Sequence, residues 1–161
     1  MNVVCKYKWI ISNDLLNTLK KTEFGIPFES PTFGEYHNLI FMIFPNGDEK
    51  KDKGSVIAGF RLIRMPTNLN IIWVDYELKL VTDKDTTKFQ ELADVDHDRS
   101  WVWPENTYLN KSLLSCKEIT IYLTMKIIKV IDNNDQEIPY QTWESYGIIQ
   151  NNEPNHFVTH N

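Results

Sequence analysis

Ile72-Trp73-Val74-Asp75-Tyr76-Glu77-Leu78-Lys79-Leu80 is the stretch that decides the fold. Ile72, Val74, Tyr76, Leu78 and Leu80 fall on one side of an extended chain; Asp75, Glu77 and Lys79 fall on the other, with Trp73 beside them. A period of two held this long is that of a strand with one buried face, and it does not suit a helix. Ile119, Ile121, Leu123, Met125 and Ile127 repeat the pattern against Thr120, Thr124 and Lys126. There the parity then flips, with Ile128 and Val130 apolar and Lys129 not, which predicts a β-bulge near Ile127–Ile128.

Working outward, Tyr7, Trp9 and Ile11 alternate with Lys6, Lys8 and Ile10 as a first strand. Asp14 is placed to cap a short helical turn near residues 14–21 that carries Leu15, Leu16 and Leu19. Phe28-Glu29-Ser30 is extended between Gly25, Pro27 and Pro31, and Leu39 to Phe44 is a continuously apolar strand covered on both faces. Pro45-Asn46-Gly47-Asp48 is a turn, Glu49 to Lys53 a solvated charged loop, and Val56, Ala58, Phe60 and Leu62 share one strand face. Thr82 to Lys88 reads as a polar loop, Phe89 to Leu92 as a short strand, and Trp101-Val102-Trp103 as a strand that Pro104 ends at an edge. Seven or eight strands at this spacing predict an all-β antiparallel sandwich over residues 1–131. Residues 132–161 form a C-terminal extension: a hairpin arm or docked segment with Trp143, Tyr146 and Ile149, then a polar mobile tail from about Asn151.

Composition agrees. The chain has 161 residues, 42% of them hydrophobic, and a net charge of −5 from 17 basic and 22 acidic side chains. That length is one domain with a core large enough to need no staple. The acidic balance offers no basic footprint for nucleic acid, and no apolar run nears the roughly 18 residues of a membrane span. Met1 to Lys6 lacks the apolar core of a secretory signal, so a reduced, cytoplasmic setting is expected, with Cys5 and Cys116 at opposite ends of the sandwich and unbonded. Nucleotide bias in a Lys-, Asn- and Ile-rich chain cannot place residues on alternate faces, so the alternation reflects the fold.

Four signals fall in one order: Tyr7-Lys8-Trp9-Ile10-Ile11; Phe28-Glu29-Ser30-Pro31-Thr32-Phe33; Phe44-Pro45-Asn46-Gly47 with Gly54-Ser55-Val56-Ile57-Ala58-Gly59-Phe60-Arg61-Leu62; and Trp101-Val102-Trp103 followed by Leu113, Leu114 and Lys117-Glu118-Ile119-Thr120-Ile121. This series, over about residues 6 to 131, resembles the MATH (meprin and TRAF homology, TRAF-like) domain family, with its W-x-I opening strand, S-P-x-F segment, Y-P-x-G turn, W-G-F motif and final L-T-I strand. The resemblance implies an eight-stranded antiparallel sandwich. It also implies an adaptor-type protein-binding module, not an enzyme, that takes an extended peptide of a partner protein in a groove beside an edge strand. Carried over by position, it points to Trp101 and Trp103 as groove aromatics, Arg99 and Ser100 just before them, Val74 and Tyr76 on the long strand, and Ser55. Val102 stands where the motif has glycine, Pro104 removes a backbone donor, and Ser55 and Val74 replace aromatic groove residues.

Two other readings stay open. Asp94, Asp96 and Asp98, with Ser100, Val102 and Glu105, keep the ligand spacing of a calcium loop, and Asp83 and Asp85 could add a second set, as in a C2-like calcium- or lipid-binding sandwich. Against it, Arg99 sits where that loop's turn needs glycine, Pro104 falls inside it, and no helices flank it. The chain could also be a structural subunit without a groove. No cofactor is expected: His37, His97, His156 and His160 lack metal-site context, the Gly47 to Ser55 segment has the wrong order for a phosphate loop, and no G-x-S-x-G occurs.

Overall fold

The computed structural model describes residues 4–33, 39–50, 53–63, 65–104, 109–143, 145 and 155–160, and for 4, 5, 110, 111 and 155–160 the backbone alone. Tyr146, Ile149, Glu105 and the Cys5 thiol, which figured in the sequence reading, lie outside this description.

The strands are β1 (Val4–Ile11), β2 (Phe28–Glu29), β3 (Leu39–Phe44), β4 (Ser55–Leu62), β5 (Leu69–Val81), β6 (Thr86–Val95), β7 (Trp101–Val102), β8 (Leu109–Asn110), β9 (Ile119–Asp132) and β10 (Asn155–His160), with one helix, α1 (Asn13–Leu19). They make two sheets, ordered β10-β1-β9-β5-β6 and β2-β3-β4-β7, with β8 paired to the start of β4. All pairs are antiparallel except β1 with β10. The sheets face one another as a β-sandwich. Trp9, Ile11, Tyr76, Leu78, Leu80, Ile121 and Leu123 from the first interlock with Phe41, Ile43, Val56 and Phe60 from the second.

The alternating rows therefore bury as read. Leu39 to Phe44 is buried on both faces: Phe41 and Ile43 enter the core, while Ile40, Met42 and Phe44 join Ile57 in a second cluster on the outer face. The bulge falls where the parity flips, since Val74 pairs with Ile127 and Trp73 with Lys129, leaving Ile128 without an opposite number.

Two sheets of four strands, β1, β9, β5 and β6 against β2, β3, β4 and β7, make the sandwich, and among the described residues the two-residue β8 and the terminal β10 add to it. Several expectations are corrected. The cap of α1 is Ser12, whose hydroxyl accepts from the Leu15 N–H at 3.4 Å; Asp14 sits two residues further in, within the first turn, where its charge suits the helix N-terminus. The polar loop after Val81 is only a tight turn, Thr82 N–H to Asp85 C=O at 2.8 Å, and β6 pairs with β5 all the way from Ile72 to Val81. After residue 131, Ile138 N–H bonds Val130 C=O at 2.8 Å, and Ile138 and Trp143 are buried in the core. Instead of a loose tail, residues 155–160 run beside β1, whose outer edge would otherwise present unpaired backbone groups.

The register of β1 on β9 sets Cys5 opposite Met125, while Ile11 meets Ile119, the first residue of β9. Cys116 precedes Ile119 and is a free, buried thiol, so the two cysteine positions lie at opposite ends of the strand pair.

Candidate functional site

β7 is an edge strand of the second sheet, at the opposite end from β2. Its register on β4 is Arg61 opposite Trp101 and Phe60 opposite Val102. Leu62 N–H donates to Ser100 C=O at 3.0 Å. In an antiparallel ladder, bonded and non-bonded pairs alternate, which makes Arg61–Trp101 a non-bonded pair. The backbone N–H and C=O of Trp101 hence point away from β4, toward the open edge.

The side chains follow the same parity. Val102 turns inward and is buried, while Trp101 turns outward. The Trp101 ring leans on Phe44 (5.8 Å between centroids) and on the Arg61 guanidinium (5.7 Å). Arg61 is held in turn by its Nε–H, which donates to the Ser100 hydroxyl at 3.1 Å. Past Val102 the strand stops and the chain crosses the outer face above Gly59, where a side chain would find the Val102 carbonyl oxygen and, at 3.0 Å, Trp103 Cβ. This crossing brings the Trp103 ring to 5.6 Å from that of Trp101, tilted by 53°. Trp103 is 39% exposed and Pro104 is buried. Trp101 and Trp103 do share a surface, although a strap, and not a continuing strand, unites them.

Other residues expected here lie elsewhere. Val74 and Tyr76 are core residues: Tyr76 packs edge-on against Phe60 at 5.3 Å, and only its hydroxyl reaches toward the sheet edge, 3.4 Å from a Glu91 carboxylate oxygen. Their place on the apolar row outweighs the positional likeness. Ser55 begins β4 opposite Asn110, roughly 20 Å from Arg61 at the usual rise per strand residue. Arg99 stands next to the site but is engaged with the preceding acidic run, its guanidinium 3.2 Å from Asp94 and 3.9 Å from Asp96.

That engagement bears on the calcium spacing. Asp96 Oδ1 accepts the backbone N–H groups of Asp98 (2.8 Å) and Arg99 (2.6 Å), and Asp94 turns to Arg99. The run is a turn-and-ion-pair unit joining β6 to β7, and among the described residues no three His, Cys, Asp or Glu side chains converge as metal ligands. Arg61, Phe44 and Gly59 belong to the Trp site but escaped the sequence reading. The signal was there in Gly59 and Arg61, which share the outer-face parity of Ile57 and break its apolar run.

No protein-family model matches the chain, and no curated protein matches it.

Proposed function

We propose that the chain is a peptide-recognition module of MATH-like type, binding an extended segment of a partner protein along the outer edge of β7 against Trp101 and Trp103. The observation that carries this reading is the tilted pair of tryptophan rings beside an edge strand whose Trp101 backbone groups face outward. Edge backbone groups can add a peptide strand, and amphipathic rings supply area for its side chains. The order of the Tyr7–Ile11, Phe28–Phe33, Ser55–Leu62 and Trp101–Trp103 motifs adds the family resemblance. Because β7 is only two residues long and Pro104 follows, ring contacts carry more of the binding than a long backbone ladder would.

The test is a displayed peptide library screened against the full chain, in parallel with a Trp101→Ala, Trp103→Ala variant whose fold is checked by circular dichroism. A shared motif enriched by the wild type and lost by the folded variant supports the site. Enrichment of the same motif by both would remove it from this edge.

A further inference from the structure

The loop between α1 and β2 carries a different surface. Phe24 and Ile26 are 41% and 51% exposed, two of the five large hydrophobic side chains left exposed among the described residues. They are not hidden by a rearrangement of the loop, because the loop is tied down. Gly25 takes a positive φ of 79°, donates its N–H to Gly47 C=O at 2.8 Å, and so fixes the loop to the β3–β4 hairpin turn. That turn is closed by Gly54 N–H to Asn46 Oδ1, also 2.8 Å. Two residues on, the chain returns to the core with Phe28 stacked on Trp9. Phe24 and Ile26 thus form a fixed apolar ridge between two depressions. One, of about 530 Å³, lies against α1 beside Ile26; the other, of about 460 Å³, lies between Phe24 and the hairpin turn.

The rim of these depressions is cationic. Lys20, Lys21 and Lys53 line them, with Glu23 the one opposing charge. Lys20 touches only the Asn17 amide oxygen at 3.3 Å, and Lys53 lies over the Phe24 ring at 5.5 Å. None of the three lysines has a carboxylate partner among the described residues, unlike Lys88 with Glu77 or Arg99 with Asp94. On a chain of net charge −5 the lining of the two depressions carries three positive charges against one negative around exposed apolar area, with Asp48 and Glu49 following in the hairpin turn. Apolar contact supplies affinity, while complementary charge selects the partner and speeds its approach.

We propose that this ridge and its two flanking depressions are a second docking site, for a segment of a partner protein that carries carboxylates next to apolar side chains. The concavity on either side of the ridge suits a chain segment, whose side chains can enter both hollows. The site lies at the Ser55 end of β4, roughly 20 Å from Arg61 and Trp101 at the other end, so the two surfaces can be occupied at once and tested apart.

The probes are three labelled synthetic peptides, one of mixed glutamate and leucine, one of lysine and leucine, and one of glutamate and serine, titrated by fluorescence anisotropy into the full chain. Vesicles containing phosphatidylserine form a fourth arm. The glutamate–leucine peptide is expected to bind, and to weaken at least tenfold with Phe24→Ser plus Ile26→Ser, or with Lys20→Glu, Lys21→Glu plus Lys53→Glu. Raising the salt should also weaken it, as exposed ammonium groups are screened over about 8 Å at physiological ionic strength. The Trp101→Ala, Trp103→Ala variant should bind it unchanged, which separates this site from the β7 edge. Four results overturn the proposal. They are no binding, equal binding of the lysine–leucine or glutamate–serine peptide, indifference to both sets of substitutions, and binding of vesicles alone through the same residues. The substituted side chains are exposed, so each variant is expected to keep the wild-type circular dichroism spectrum and melting temperature.

Discussion

The Val102 carbonyl oxygen occupies the place a side chain at Gly59 would need. Gly59 is glycine for space: a neighbouring backbone passes over it, and a backbone cannot rotate aside as a side chain can. Gly59→Ala must push the 102–104 strap off the sheet, and with it the Trp103 ring from Trp101. Overpacking of this kind costs about 1–3 kcal/mol. Chemical denaturation should show that loss, and peptide affinity at the β7 edge should fall with it. Stability within about 0.5 kcal/mol of wild type would mean that the strap is not anchored here.

Tyr76 distinguishes packing from recognition. Its ring is sealed between the sheets against Phe60, and its hydroxyl lies 3.4 Å from a Glu91 carboxylate oxygen. Tyr76→Ala should cost about 3–5 kcal/mol, the range for emptying an aromatic site in a core. Tyr76→Phe keeps the ring and should cost no more than about 1 kcal/mol. Tyr76→Phe should also leave peptide binding at Trp101 and Trp103 unaltered; a selective loss of binding would return Tyr76 to the groove.

The same residue shows what sequence can and cannot tell. The alternation from Ile72 to Leu80 put Tyr76 on the buried row, and burial followed that row. Positional likeness put it in a groove, because likeness carries a residue's place in the order and not the direction of its side chain. Trp101 and Trp103 were legible from their spacing. Arg61 was not, since its link to Ser100 spans 39 residues and no local pattern encodes such a contact. β6 was read too short for a related reason: at a sheet edge both faces stay partly exposed, as at Thr87, Lys88, Gln90 and Glu91, and alternation weakens. β10 had no signal at all, because parallel pairing along β1 draws on backbone groups that every sequence carries.

Arg99 is expected to keep calcium out of the acidic run. Its guanidinium holds Asp94 and Asp96, and Asp96 also accepts two backbone N–H groups. A calcium site with a dissociation constant near 10 µM would add about 2.7 kcal/mol at 1 mM calcium. In a domain of this size that raises the melting temperature by roughly 5–10 °C. No such rise over a magnesium control is expected for the wild type. A rise of that size, in calcium alone, would revive the metal reading and should then vanish in Asp94→Asn, Asp96→Asn.

The bulge at Ile128 makes two single-residue deletions unequal. Ile127 faces Val74 and Lys129 faces Trp73, with Ile128 extra and 42% exposed. Removing Ile128 joins two segments that already pair in step, so every remaining side chain keeps its face, and stability should change by no more than about 1 kcal/mol. Removing Thr124 from the regular part of β9 leaves no such escape. Either Ile119, Ile121 and Leu123 turn to the outer face, or the bulge takes up the slack and Lys126 turns inward while Met125 turns out. A one-residue slip of this kind exchanges the faces of a strand. It should cost upward of about 3 kcal/mol and lower the melting temperature accordingly. Equal melting temperatures for the two deletions would show that β9 is not held in the observed register by its buried face.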